Sequence, residues 1–277
     1  MTIPNTIRVD GADLYYEVRG SGPFLLVLGA PMPSHMFGPV ADALADHYTV
    51  VTLDPRGISK STLDDPEQDS TPELRADDVT AVMDALGAGT ADVFGSSGGA
   101  VTGLALVARH PGRVRTLIAH EPPVLELLPD AAEHRANTDD LIETFHRDGL
   151  FAAMTRFMGN AGFEDSGDGA PQGPPPSDDP EQDMADGARF FGHELRGTTR
   201  YVPDIPKLHS GAERVVIGVG VDSGQLLTAQ TSAALADQLG TAVVEFPGDH
   251  GGFMGDPVGF AARVREVLAP VAAPASR

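Results

Sequence analysis

The stretch Ala91 to His110, ADVFGSSGGAVTGLALVARH, constrains the fold more than any other part of the chain. A short apolar strand, Ala91 to Phe94, runs into Gly95-Ser96-Ser97-Gly98-Gly99, and Ala100 to Ala108 then reads as a helix apolar on every side, ended by His110-Pro111-Gly112. Such a helix belongs in a core, so the sequence predicts a strand that turns abruptly into a buried helix. The glycine-flanked turn fits G-x-S-x-G, in which a strained strand-to-helix corner lifts one serine above the carboxyl end of a sheet. Residues two before and two after that serine pass close together and must be small. Ser97 has Gly95 and Gly99 at those positions, whereas Ser96 would have Phe94 and Gly98, so Ser97 is the candidate nucleophile.

The rest of the chain alternates strand and helix patterns around this element. Thr6 to Asp10 and Leu14 to Arg19 read as strands joined by the turn Asp10-Gly11-Ala12, and Phe24 to Leu28 as a strand buried on both faces. Phe37, Val40, Ala41 and Leu44 recur at helical spacing before a strand at Tyr48 to Leu53. A helix then begins at Thr71-Pro72 and stops at Gly87, and Val114 to Ala119 is a further strand. After His120-Glu121-Pro122-Pro123 the strands cease until Arg214 to Val219. Apolar residues there recur at helical spacing, and Glu164 to Asp183, rich in proline, glycine and aspartate, reads as a mobile loop. Thr228 to Leu239, Ala242 to Phe246 and a last helix on Phe260, Val264, Val267 and Leu268 restore the alternation. Alternating β and α elements imply a mostly parallel sheet covered on both faces. The expected division is core at 1–123, an inserted helical cap at 124–205, and core again at 206–277.

The 277 residues include no cysteine, which excludes disulfides, thiolate metal sites and a cysteine nucleophile. A net charge of −21 argues against nucleic acid or an anionic membrane as partner. With no signal-like start and no apolar run long enough to span a bilayer, the expectation is a soluble cytoplasmic protein, monomer or homodimer, acting on a small molecule. Lys60 and Lys207 are the only lysines, and this bias toward arginine, with abundant alanine, aspartate and glycine, resembles proteins of high-GC actinobacteria.

A serine hydroxyl needs a base, and the base an orienting acid. Of nine histidines, His250 is favoured because Pro247-Gly248-Asp249-His250-Gly251-Gly252 is a glycine-rich loop directly after a strand. His35, His120 and His193 are weaker candidates, and Asp249 is too near His250 to fold back on its ring. For the acid, Asp222 follows the strand Arg214 to Val219 and is preferred; Glu121, also after a strand, is the rival and otherwise lines the pocket with Met32 and His35. Backbone N–H groups must meet the oxyanion. Gly98 offers one, and Gly29-Ala30-Pro31-Met32 the other: proline has no N–H, so Ala30 is preferred and Met32 held in reserve.

Four features together resemble the α/β-hydrolase fold over nearly the whole chain: the loop at Gly29, Asp54-Pro55-Arg56-Gly57-Ile58-Ser59-Lys60-Ser61, the GSSGG turn, and the loops carrying Asp222 and His250. The second of these resembles the family's D-x-R-G-x-G-x-S segment, whose arginine is structural, so Arg56 is not counted as catalytic. The family's frequent histidine before the oxyanion glycine is Leu28 here. The resemblance implies a twisted, mostly parallel sheet of about eight strands flanked by helices with an inserted cap. It also implies an esterase or lactonase with the order Ser97, Asp222, His250 and no metal or organic cofactor. Relatives that open epoxides or displace halide carry aspartate at the turn, so Ser97 argues against those reactions. The alternative is a cofactor-free lyase, perhydrolase or cyclase using His250 and Glu121 as acid and base; a ligand receptor ranks last. Gly218-x-Gly220-x-x-x-Gly224 misses the dinucleotide-binding spacing.

Overall fold

The computed structural model describes residues 2–163, 179–224 and 226–269. Nine strands form one sheet: β1 (Ile3–Val9), β2 (Ala12–Arg19), β3 (Phe24–Leu28), β4 (Thr49–Leu53), β5 (Thr62–Leu63), β6 (Ala91–Ser96), β7 (Val114–His120), β8 (Ala212–Gly220) and β9 (Val244–Phe246). Their order is β1-β2-β4-β3-β6-β7-β8-β9, with the two-residue β5 paired to β2. All neighbours from β4 to β9 pair in parallel, and β1, β2 and β5 add an antiparallel edge. The expected strands are therefore present, most with ends shifted by a few residues; Ala242 and Val243 lie before β9 and not in it.

Helices cover both faces. On one side the 3₁₀ turn Ser34–Phe37, α1 (Gly38–Leu44) and the closing helix Pro257–Leu268 put Phe37, Val40, Leu44, Phe260 and Val264 against Leu25, Val27 and Phe94. On the other, α2 (Pro72–Ala85) and α3 (Gly98–Arg109) put Val79, Val82, Leu104 and Ala105 against Leu26, Val93 and Leu117. Helix α2 starts as its sequence directs, with Pro72 in the first turn and the Thr71 hydroxyl accepting from the Leu74 N–H at 3.2 Å. Every α3 residue from Gly98 to Val107 is buried. This accounts for its all-round apolar sequence and places the serine corner at the centre of the sheet.

Between β7 and β8 the described residues form helices only: α4 (Ala131–Asp148), α5 (Leu150–Ala161), α6 (Pro180–Arg189), a π-helical turn Phe190–Glu194, α7 (Leu195–Thr199) and α8 (Ile205–Gly211). The loop expected at 164–183 lies mostly outside the described residues, and its last part is corrected. Residues 180–183 open α6, because Pro180 suits a first turn and the Asp179 side chain accepts from the Gln182 N–H at 3.1 Å. The insertion has its own apolar cluster of Leu141, Ile142, Ala153, Phe190, Phe191 and Leu195.

Its α6 side is fastened to the loops on either side of β5. The Arg189 guanidinium donates to the carbonyls of Pro66 and Gln68 at 2.9 and 2.7 Å, and Asp186 accepts from the Ser59 N–H at 2.9 Å. Gly57, at φ +75°, lies under Arg189, where a Cβ would fall 2.2 Å from the arginine Nε. Arg56 is structural as expected: it is 1% exposed and forms a two-pronged pair with Asp78 at 2.7 and 2.5 Å.

Candidate active site

Ser97 sits at φ 56° and ψ −125°, a conformation that L-residues rarely adopt and that surrounding packing must impose. The packing is visible at the flanking glycines. A Cβ on Gly95 would lie 2.5 Å from the Gly99 carbonyl oxygen, and one on Gly99 would lie 2.1 Å from that of Leu28. The Ser97 N–H donates to the His120 carbonyl at 2.9 Å, which ties the corner to β7. Its hydroxyl makes no hydrogen bond among the described residues and lines a cavity of about 890 Å³. Ala30 and Gly98 line the same wall, so close that a Cβ on Gly98 would meet the Ala30 carbonyl oxygen at 2.4 Å. Neither backbone N–H donates to a protein acceptor among the described residues.

His250 lines the cavity on the loop after β9, and its partner is Glu121, with Nδ1 to Oε2 at 2.6 Å. The preference for Asp222 is corrected here. Glu121 follows β7, the strand beside β6, and turns at φ 50°, which sends its side chain beneath the ends of β7 and β8. There the carboxylate is wholly buried and held from every side. Oε1 accepts from the Gly220 N–H at 2.9 Å and from the Ser223 hydroxyl, and Oε2 accepts from the Thr228 hydroxyl at 2.8 Å besides His250. Burial alone would raise its pKa. The His250 hydrogen bond, the two nearby imidazoles and the Ser223 donor outweigh burial and bring it down to about 2. An ionised carboxylate only accepts, so His250 carries its proton on Nδ1 and leaves Nε2 as the basic nitrogen.

Asp222 sits one strand further out. Its N–H donates to the Gly248 carbonyl at 2.9 Å, and its exposed side chain lines the cavity instead of turning under His250. Met32 lines the cavity as expected, but His35 does not: it is exposed on the 3₁₀ turn Ser34–Phe37, and Met36 is the residue that turn directs inward. Glu121 has no surface on the cavity, so its expected role as a pocket-lining group is also corrected. His120 is a core residue; burial holds its imidazole down to about 4, and its Nδ1 lies 3.1 Å from the Ser96 hydroxyl. His193 pairs with Asp69 at 3.1 Å away from the cavity. Asp249 supports its loop by accepting from the Gly251 N–H at 2.8 Å.

Thr228 and Ser223 went unsignalled in the sequence, since a hydroxyl that steadies a buried carboxylate carries no motif. The glycines Gly218 and Gly220 serve packing: Cβ atoms there would strike the Phe246 ring at 2.8 Å and the Gly248 oxygen at 2.5 Å. Among the described residues no three His, Asp or Glu side chains gather as a metal site, and no helix is long and apolar enough to cross a membrane.

The family profile described as "alpha/beta hydrolase fold" matches residues 22–161. The chain belongs to the α/β-hydrolase fold family. This α/β hydrolase is 35% identical over 97% of its length to an uncharacterized hydrolase, YraK, of Bacillus subtilis (strain 168), of which it covers 97%. It is 37% identical to a zearalenone hydrolase of Cladophialophora bantiana over 54% of this chain and 56% of that one. Among solved structures it resembles a thermophilic esterase from Thermogutta terrifontis, with a TM-score of 0.72 at 20% identity over 97% of this chain and 98% of the esterase. The actinobacterial flavour of the composition gains no support from these relatives.

Proposed function

We propose that this α/β hydrolase cleaves small-molecule carboxylic esters or lactones through Ser97, His250 and Glu121. The observation that carries the reading is the 2.6 Å bond to a fully buried Glu121 from His250, which lines the same cavity as Ser97 on its strained corner. His250 Nε2 takes the serine proton as Ser97 Oγ attacks the carbonyl, and the Glu121 carboxylate stabilises the imidazolium that forms. The free N–H groups of Ala30 and Gly98 receive the oxyanion, each worth about a hundredfold to a thousandfold in rate. The imidazolium then protonates the leaving alcohol, and a water activated by the same nitrogen releases the acid.

The helical insertion serves as the cap over this site. Met154, Phe157, Met158, Phe190 and Leu195 line the roof, so the acyl or ring portion of the substrate is largely apolar. The non-hydrolytic alternative asks Glu121 to exchange protons with substrate. Its burial beneath the cavity wall, with both oxygens occupied by donors, weighs against that role.

Intact-mass measurement after treatment with a fluorophosphonate tests the reading. One adduct on the wild-type protein, absent from Ser97→Ala and His250→Ala, is expected; a folded wild-type protein that takes no adduct would overturn it.

A further inference from the structure

Asp222, free of the role its position suggested, stands in a suggestive place. Its loop lies against the loop of His250, joined by the bond from the Asp222 N–H to the Gly248 carbonyl, so Asp222 and Asp249 line the cavity on either side of that contact. The Asp222 carboxylate makes no hydrogen bond or ion pair among the described residues, and Asp256 adds a third carboxylate to the lining. No lysine or arginine lines the cavity among the described residues. Apart from His250, its one other imidazole is His134, already paired with Asp130 at 3.1 Å. The roof instead offers an uncharged group: Thr138 is 4% exposed and lines the cavity, and its hydroxyl has no partner among the described residues.

A negatively charged substrate would enter this space without a counter-charge and beside two carboxylates, Asp222 exposed and Asp249 half-buried, whose repulsion falls as salt is added. An uncharged one meets a largely apolar wall and the neutral Thr138 hydroxyl. We propose that Asp222 and Asp249 form a charge filter beside the reacting centre, which admits uncharged or cationic esters, rejects anionic ones and drives out the carboxylate product. The proposal rests on the ester-hydrolase reading. In that reaction water breaks the bond between the acyl carbon and Ser97 Oγ, the acyl group leaves as a carboxylic acid, and its proton passes to solvent, so the product gains a charge its precursor lacked.

The test compares three p-nitrophenyl esters of similar acyl length that end in a methyl ester, a carboxylate or an ammonium group. For the wild-type protein kcat/KM is expected to be about tenfold lower for the carboxylate than for the methyl ester, and no lower for the ammonium ester. Asp222→Asn narrows the first ratio several-fold. Asp46→Asn, at an exposed position before β4 and so at the opposite end of the sheet, leaves it unchanged. Equal rates for carboxylate and methyl ester, or an equal narrowing by Asp46→Asn, would overturn the filter.

Binding to Ser97→Ala separates this result from the fate of the triad. Calorimetry should show the methyl ester binding more tightly than the carboxylate ester, and the reverse order would again overturn the filter. Turnover that needs Ser97 but ignores charge would sink the filter and leave the triad standing. Charge-ordered binding without Ser97-dependent turnover would do the opposite.

Discussion

Glu121 and Glu194 are buried alike, at 0% and 1% exposed, one under the sheet-side floor of the cavity and one in the helices that roof it. Their hydrogen bonding differs. Four donors meet the oxygens of Glu121, whereas neither oxygen of Glu194 has a hydrogen-bond partner among the described residues. Arg75, also buried, lends Glu194 only its charge, because its guanidinium is committed to the Thr102 hydroxyl at 2.9 Å, the Ser70 carbonyl at 2.7 Å and the Thr198 hydroxyl at 3.0 Å. Glu121 is accordingly held well below the ordinary carboxyl range. Glu194 is pushed above it by burial, against the opposing pull of Arg75 and Arg189. Between these two acids oriented donors, not depth, set the difference, and it is Glu121 that is kept ionised.

The largest test of that contrast is turnover. Glu121→Gln should lower kcat by about 10³–10⁴ through loss of the imidazolium's counter-charge and of the correct tautomer, whereas Glu194→Gln should change it by no more than a few-fold. Ester hydrolysis at saturating substrate measures both, and a small effect at Glu121 would remove the basis for its catalytic role. Next in size is the glycine crossing. Gly99→Ala drives a methyl group onto the Leu28 carbonyl and should cost about 3 kcal/mol or prevent folding. Gly192→Ala, in the π-helical turn with nothing among the described residues within 4 Å of its added Cβ, should be neutral or raise stability by under about 1 kcal/mol. Denaturant midpoints distinguish the two.

Stability against pH sharpens the contrast further, because the two acids act with opposite sign. The folded pKa of Glu121 lies below its unfolded value of 4.5, so its contribution is present above that pH and fades as pH falls toward 2. Glu121→Gln should therefore melt earlier than wild type at pH 7, with the gap closing in acid. The folded pKa of Glu194 is raised, so its ionisation weakens the fold as pH rises above the unfolded value. Glu194→Gln should melt about 2 °C higher at pH 8 and show no gain at pH 4, the smallest of these effects. Thermal melts across that range would refute the contrast if both variants shifted the same way.

The floor was far more legible in the sequence than the roof. Ser97 could be chosen over Ser96 because a backbone crossing imposes a size limit that two glycines satisfy and a phenylalanine does not. His250 followed from a glycine-rich loop after a strand, and the buried strands from short runs such as FLLVL. The acid was harder. Asp222 and Glu121 both follow strands, and what separates them is which strand adjoins β6 and whether a longer side chain, set off by a left-handed turn at φ 50°, passes beneath its neighbours. Neither fact is periodic or local. His35 failed for a similar reason, since helical pitch over a four-residue turn decides whether it or Met36 faces inward. In the roof, proline and aspartate at 179–183 read as loop residues although the same residues also begin helices.

The fastening of Arg189 and Asp186 onto Gly57, Ser59, Pro66 and Gln68 bears on how such a protein can be remodelled. The segment Asp54 to Ser61 reads as part of the family's floor, yet it is also the foundation on which this particular roof stands. Exchanging the roof for that of a relative, in search of a new substrate range, is therefore a transplant with a matched socket. The donor segment must bring its own arginine for the carbonyls of Pro66 and Gln68 and its own carboxylate for the Ser59 N–H, or the graft will arrive without the bonds that hold this α6 end in place.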